Sequence, residues 1–135
     1  MLDQLSVKNL VVVEDLNIEF LHGMTVVTGE TGAGKSILVQ ALNLAIGGRS
    51  DAALVRHGKS KAEIIATFSL DGNQSIQSVL EGLDLEDGNE CILRRVLGSD
   101  GKSRSYVNGS NVTLSTLRDV GCHLIDMHGQ NEHQL

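Results

Sequence analysis

One eight-residue segment, residues 29–36, restricts the fold of this chain more than any other feature. Its sequence, GETGAGKS, satisfies the pattern G-x-x-x-x-G-K-[ST] at every fixed position. A β-type run at residues 24–28 precedes the segment, and apolar residues at helical spacing follow it as far as Gly47 and Gly48. Strand, glycine-rich loop and helix in this order are typical of a phosphate-binding loop, or P-loop. The segment therefore predicts an α/β fold that binds a nucleotide.

The fixed residues of the P-loop each have a chemical task. Gly29, Gly32 and Gly34 allow backbone conformations closed to residues with a side chain, so that successive N–H groups can face a β-phosphate. The positive end of the following helix dipole points at the same place. The Lys35 ammonium can reach the β- and γ-phosphates, and the Ser36 hydroxyl can ligate Mg²⁺.

The rest of the chain alternates between strand-type and helix-type patterns. A Gly-Ser-Asp-Gly turn at residues 98–101 predicts a hairpin, and Asn108-Gly109 predicts a second turn. Apolar alternation predicts strands, and apolar spacing of three and four predicts helices. The predicted strands are 4–10, 11–20, 24–28, 62–70, 90–97, 103–108 and 122–127, and the predicted helices cover 35–45, 75–83 and 114–120.

Asp126 is the candidate for the acidic group that nucleotide hydrolysis needs in addition to a P-loop. It ends the apolar run 122–125, a form typical of a Walker B strand whose carboxylate holds Mg²⁺. Residues 126–130 equally fit the D-x-x-G-Q pattern of a GTPase switch. The chain has no Asn-Lys-x-Asp element for guanine, and the separation from Gly29 is long for a minimal GTPase. A Walker B Asp, a switch Asp and an Asp that caps or ends a strand remain alternatives.

Charge and composition exclude several classes of function. With 11 basic and 17 acidic residues the net charge is −6, so the chain as a whole has no electrostatic footprint for DNA. Cys91 and Cys122 form no C-x-x-C pair, which argues against a metal or redox site. The N-terminus lacks an export signal, and no run of about 20 apolar residues occurs, so we expect a cytoplasmic protein with no membrane partner.

Four segments together resemble the N-terminal part of the RecN family, bacterial DNA-repair ATPases that are similar to SMC proteins. They are GETGAGKSILVQALNLAIGGRSD, ALVRHG, ILRRVLGSDGKSRSYVNG and LIDMHGQNEHQ. The P-loop alone would indicate only a superfamily, whereas the last two segments are close to family signatures. The resemblance implies a P-loop NTPase fold: the N-terminal lobe of an ABC/SMC-type head, with an antiparallel β subdomain flanking an α/β core.

The resemblance also implies cofactors and roles for individual residues. ATP and Mg²⁺ are the implied cofactors, and Lys35 and Gln130 are the implied catalytic residues. Gln130 would lie in the Q-loop, where it contacts the metal and the attacking water, so that Ser36 and Gln130 would both ligate Mg²⁺. Lys8 and Asn9 would flank the adenine or ribose. The implied nucleotide-binding residues are Gly29, Glu30, Thr31, Gly32, Ala33, Gly34, Lys35, Ser36 and Arg56, the last as an arginine that senses nucleotide or DNA.

Several parts of a complete head have no counterpart in residues 1–135. No Leu-Ser-Gly-Gly signature, Asp-Glu Walker B or coiled-coil heptad occurs. We therefore expect a single lobe running from P-loop to Q-loop, with apolar surface exposed toward the C-terminal half of the same head. The implied partners are that half, a second head engaged through ATP, and DNA, which suits a nucleoid-associated protein. A stand-alone GTPase switch and a non-catalytic interaction module are the alternative functions.

The net charge of −6 limits DNA contact to two local clusters of basic residues, each of which could contact phosphates. The alternative, a solvated charged face, is the commoner origin of such clusters. Asp126, His128 and His133 match no zinc-ligand spacing. The two basic clusters are Arg94, Arg95, Lys102 and Arg104, and Arg49, Arg56, His57, Lys59 and Lys61.

Overall fold

A computed structural model describes residues 1–21, 24–29 and 34–129. These residues form seven strands and three α-helices. The strands are β1 (Leu2–Leu10), β2 (Val13–Leu21), β3 (Met24–Gly29), β4 (Lys61–Ser69), β5 (Glu90–Gly98), β6 (Ser103–Val107) and β7 (Ser110–Val112); the helices are α1 (Gly34–Ala45), α2 (Gln74–Gly82) and α3 (Leu114–Gly129).

The strands belong to one antiparallel sheet in the order β3-β2-β1-β4-β5-β6-β7. β3, which leads into the P-loop, lies at one edge of this sheet, where β2 is its only neighbour among the described strands. β1 and β4 pair near the centre although 50 residues separate Leu10 from Lys61, because α1 and a short 3-10 turn at Ala52–Leu54 connect the two halves of the sheet.

Alternation of side chains places the core on one face of the sheet. In β4 the buried residues are Ala62, Ile64, Ala66 and Phe68, every second position, as expected when one face is covered. α1 covers this face with Ile37, Ala41, Leu44 and Ala45, which recur at helical spacing and contact β4, β5 and β1. α3 packs on β6 and on α2. We call the opposite face, which these helices leave uncovered, the open face.

The C-terminal part of the described chain differs from the sequence-based prediction. Residues 114–129 form one continuous helix, so the predicted strand at 122–127 is wrong. Leu117, Val120 and Leu124 are all buried, at spacings of three and four that match a helix packed on its neighbours. The short strand β7 was not predicted. It pairs with β6 across the Asn108-Gly109 turn, which the sequence does indicate.

None of the helices in the described parts of the chain is long and apolar enough to cross a membrane.

Candidate nucleotide-binding site

The first glycine of the P-loop stands where β3 ends, and its local geometry requires glycine. Gly29 has φ +97°, in the left-handed region that residues with a side chain rarely adopt. It pairs with Leu16 of β2. A Cβ at Gly29 would overlap the carbonyl oxygen of Asp15, so the position is restricted by space as well as by conformation.

The last three residues of the P-loop open α1, which begins at Gly34. The backbones of Lys35 and Ser36 therefore lie in its first turn, at the positive end of the helix dipole. The Ser36 side chain is exposed and shares an open surface with Val39, Gln40 and Asn43. Both described ends of the loop, a left-handed glycine and a helix N-terminus, fit a bound phosphate.

Several predicted site residues lie outside the described parts of the chain. These are the middle of the P-loop and the predicted Q-loop residue, together with the side chain of Lys35. The residues outside are Glu30, Thr31, Gly32, Ala33 and Gln130. Their roles stay predictions.

Arg56 lies at the end of the sheet where the P-loop begins. Its backbone N–H donates to the carbonyl of Asn9 over 2.8 Å, and the neighbouring Val55 forms an isolated bridge with Leu10. Its guanidinium is 3.9 Å from the carboxylate of Glu14, two residues before the Leu16 that pairs with Gly29. The structure thus brings Arg56 and Asn9 to the P-loop end of the sheet. No local sequence pattern indicates Glu14 as the partner of Arg56.

A strained turn holds this arrangement in place. Val11, between β1 and β2, has φ +53°, an unusual value for a β-branched residue. Its N–H donates to the carbonyl of Leu54 over 2.7 Å, so the segment before Arg56 is tied to the turn. Such backbone strain persists only where the surrounding structure holds it. Here the hydrogen bond between Val11 and Leu54 holds the turn and fixes the position of Arg56 relative to β2.

Lys8 lies on the open face, at the rim of a groove of about 670 Å³ that also includes Asn9. Arg94 lies deeper in this groove, where its Nε donates to Glu63 over 2.7 Å and its guanidinium stacks 4.7 Å from the centre of the Tyr106 ring. Five cationic and two acidic side chains line the groove: Lys8, Lys61, Arg94, Lys102 and Arg104 with Glu63 and Asp100.

Arg95 is not a surface cation, contrary to its predicted place among phosphate-contacting residues. It lies on the buried face of β5 and is only 1% exposed. The pattern of β5 explains this difference, because Cys91, Leu93 and Leu97 share the same alternation and are buried. A side chain in this position cannot reach DNA.

Asp126 lies within α3 rather than at the end of a strand. The Walker B interpretation required an apolar strand that ends at the carboxylate, and is therefore wrong, as is the strand-capping alternative. No group of three or more His, Cys, Asp or Glu residues in the described segments is placed to hold a metal ion. His133 lies outside those segments.

Comparison of the sequence with known proteins shows the family of this chain. Residues 4–133 match the AAA domain family. The chain is 49% identical to the DNA repair protein RecN of Vibrio cholerae over 99% of its own length, and 43% identical to RecN of Bacillus subtilis over all of it. It spans 24% of the length of each of these relatives. The predicted resemblance to RecN is confirmed.

Solved structures confirm the predicted fold class. An SMC ATPase, from work on ATP-driven dimerization and DNA-stimulated activation, aligns with 93% of this chain and 78% of its own at a TM-score of 0.68 and 22% identity. The recombination mediator RecF aligns with 87% of this chain and 29% of its own at a TM-score of 0.59 and 18% identity. The chain therefore has the P-loop ATPase fold of SMC heads and RecF.

Proposed function

The chain belongs to the AAA domain family, and on this premise we propose that it is the ATP-binding lobe of a RecN-like ATPase that acts in DNA double-strand break repair and recombination. The observation that supports this most directly is the P-loop pattern of residues 29–36 between β3 and α1, with Gly29 left-handed and Gly34 at the helix start. Residues 1–135 would form one lobe from P-loop to Q-loop.

Each residue of the P-loop would contact a different part of the bound Mg-ATP. Amides from Glu30 to Ser36 would hold the β-phosphate, the Lys35 ammonium would pair with the β- and γ-phosphates, and the Ser36 hydroxyl would ligate the metal. Bound Mg²⁺ supplies neutralisation of the charge on the phosphates. Gln130 would orient water and complete the metal site. Arg56, held near the P-loop end of the sheet by Asn9, would sense the bound nucleotide.

The remainder of the head is the proposed partner of β3. No described strand pairs with its outer edge, and Met24, Val26 and Val27 are exposed apolar residues on it. Val39 on the outer side of α1 is exposed as well. Apolar surface on both P-loop elements is typical of an interface, and the chain spans only about a quarter of its relatives. A second head engaged through ATP would then enclose the nucleotide.

The groove on the open face is the proposed contact with DNA in a cytoplasmic, nucleoid-associated protein. Its lining is positive, although the chain carries a net charge of −6. Phosphate backbones bind such surfaces through Lys and Arg, without sequence readout. Glu63 and Tyr106 hold Arg94 in a fixed orientation, so less side-chain freedom is lost on binding.

Titration of a fluorescent ATP analogue with Mg²⁺ tests the nucleotide site. We expect Lys35→Ala to lose most of the affinity, at least about tenfold, because the charge facing the β- and γ-phosphates is removed. Lys59→Ala is the matched control, since Lys59 is an exposed lysine outside the P-loop. Equal affinity of Lys35→Ala and wild type would contradict the site. A preference for GTP would favour the switch alternative, and no binding at millimolar Mg-ATP would favour the interaction module.

Fluorescence anisotropy with a short DNA duplex tests the groove. Lys102→Glu with Arg104→Glu should weaken binding at least about tenfold and flatten its salt dependence, because fewer counterions are released. Arg49→Glu with Lys59→Glu is the charge-matched control, since both are exposed basic residues that do not line the groove. Equal loss in both variants would show that the net charge of the chain, and not the groove, governs binding.

A further inference from the structure

Arg95 is a charged residue in the interior of the protein. The residue is only 1% exposed, and no ion pair among the described residues involves it. Burial lowers the pKa of Arg95, and the neighbouring charge of Arg118 lowers it further. A buried cation is stable only when its donors find acceptors that offset the lost hydration.

The acceptors of Arg95 lie at the C-terminal end of α1. One terminal nitrogen, Nη1, donates to the carbonyl of Leu44 over 2.9 Å and to that of Gly48 over 2.5 Å. The other, Nη2, donates to the Ser50 hydroxyl over 3.2 Å. A helix C-terminus carries partial negative charge and unpaired carbonyls, so it takes the place of a carboxylate for the two terminal nitrogens, while the buried Nε has no hydrogen-bond partner among the described residues. The arginine thus binds the end of α1 that lies opposite the P-loop.

A second arginine reaches the same helix end from α3. The Nε of Arg118 donates to the carbonyl of Gly47 over 2.9 Å. Gly47, at φ +101°, turns the chain in a Schellman motif, in which the Gly48 N–H donates to Asn43 over 2.8 Å. A Cβ on Gly47 would come within 2.5 Å of Cγ of Arg118.

The approach of α3 is equally close one turn further along. A Cβ on Gly121 would come within 2.7 Å of the carbonyl oxygen of Ile46. Glycine at this point lets the two backbones meet, and little room remains for the end of α1 to move. Two charged donors and a close backbone contact therefore hold a single helix end from two different elements, β5 and α3.

We propose that Arg95 and Arg118 are positioning residues for the P-loop, because they fix one end of α1 and thereby the direction of its other end. α1 has 12 residues and so is about 18 Å long. A tilt released at Ala45 would move the amides of Gly34 and Ser36 relative to β3. This inference rests on the proposed nucleotide site.

The experiment uses the 135-residue chain and distinguishes a change in the direction of α1 from a loss of fold stability. Arg118→Met keeps the apolar stem and removes the donor, and it should fold because Arg118 belongs to the exposed surface of α3 and its stem still packs against Gly47. Arg118→Lys keeps a charged donor. Leu80→Ala is the control, since it makes a cavity under α2 and destabilises the fold without touching these donors. For each variant, affinity for the fluorescent ATP analogue with Mg²⁺ and stability to urea are measured together.

We expect Arg118→Met to weaken nucleotide binding at least fivefold, Arg118→Lys to recover part of the loss, and Leu80→Ala to bind as the wild type does while it is folded. The NMR amide signals of Gly34 and Ser36 should shift in Arg118→Met and not in Leu80→Ala. Equal affinity of Arg118→Met and wild type, or equal weakening in Arg118→Met and Leu80→Ala, overturns the positioning role alone. No ATP binding by the wild type overturns the proposed function with it.

Discussion

The two cysteines occupy opposite environments. Cys91 is buried on the core face of β5, and burial raises the pKa of its thiol to about 12, whereas Cys122 is exposed on α3. Because the thiolate is the reactive form, we expect a thiol reagent at pH 8 to modify one cysteine per native chain and two after denaturation. Cys122→Ser should remove the native reaction, and Cys91→Ser should leave it. Rapid modification of native Cys122→Ser would contradict the burial of Cys91.

The raised pKa of Cys91 also gives stability a direction with pH. The unfolded thiol ionises near its ordinary value of 9.0, while the folded thiol keeps its proton to about 12. Stability from this residue is therefore present below pH 9 and falls as the pH rises toward 12. In urea unfolding, the difference between wild type and Cys91→Ala should shrink across this range. A difference that grows with pH would contradict the assignment.

At the scale of single residues, the sequence predicts which residues have a chemical role better than it predicts where each side chain lies. The need for glycine at Gly29 follows from the P-loop pattern, and the structure adds the overlap with Asp15 as a second reason. The burial of Arg95 is different. Arg95 lies on the same face of β5 as Cys91 and Leu93, and this alternation indicates burial. The charge of Arg95, however, favours a place on the surface. Its acceptors come from α1, about 50 residues away, and no local pattern indicates them.

Among the elements, α3 shows how packing overrides local preference. Residues 122–127 contain an apolar run that predicts a strand, yet they continue the helix that begins at Leu114. Leu117, Val120 and Leu124 extend one apolar stripe against β6 and α2, so a helix buries more of this segment than a short strand would. The stripe was visible in the sequence, but whether it had a surface to pack on was not.

The crossing of α3 over the end of α1 predicts an unusual response to alanine. Alanine normally favours a helix by about 1 kcal/mol over glycine. At Gly121 the added Cβ would lie 2.7 Å from the Ile46 carbonyl oxygen, so we expect Gly121→Ala to destabilise the fold by about 1–3 kcal/mol. Gly82→Ala at the end of α2 meets nothing within 4 Å and should be neutral or stabilising. Urea unfolding of both variants is the measurement, and a more stable Gly121→Ala would contradict the close crossing.

Across the whole molecule, the sequence predicts most strands but not how they join. Hairpins such as β5–β6 follow from local turns, whereas the pairing of β1 with β4 spans α1 and depends on contacts that close only after folding. The same holds for the edge position of β3, which the P-loop pattern alone does not reveal. The expectation of apolar surface on the P-loop elements gains support from Met24, Val26 and Val27.

The free edge of β3 predicts self-association of the isolated chain. Exposed apolar edge strands pair with other chains, and charges on the strand oppose this pairing. We expect the wild type to form concentration-dependent oligomers in analytical ultracentrifugation, and Val27→Lys to shift it toward monomer. Val12→Lys is the control, because Val12 is also an exposed valine but lies in the β1–β2 turn. A monomeric wild type, or equal effects of the two substitutions, would contradict pairing through β3.

The 135-residue chain alone should bind ATP and hydrolyse it negligibly. Phosphoryl transfer is accelerated mainly by groups placed around the γ-phosphate and the attacking water, so a site with only the phosphate cradle keeps ground-state binding and loses the additional stabilisation of the transition state. The candidate Walker B carboxylate, Asp126, belongs to α3 rather than to the end of a strand.

Phosphate release from the purified chain measures this, with Lys35→Ala as the control for contaminating ATPase. We expect a rate orders of magnitude below the roughly 1–100 s⁻¹ of typical kinases, and the same rate in the variant. Addition of the remaining part of the head should restore turnover, because it would supply the Asp-Glu Walker B pair that residues 1–135 lack and would cover β3. Fast hydrolysis by the chain alone that disappears in Lys35→Ala would show that residues 1–135 already complete the active centre.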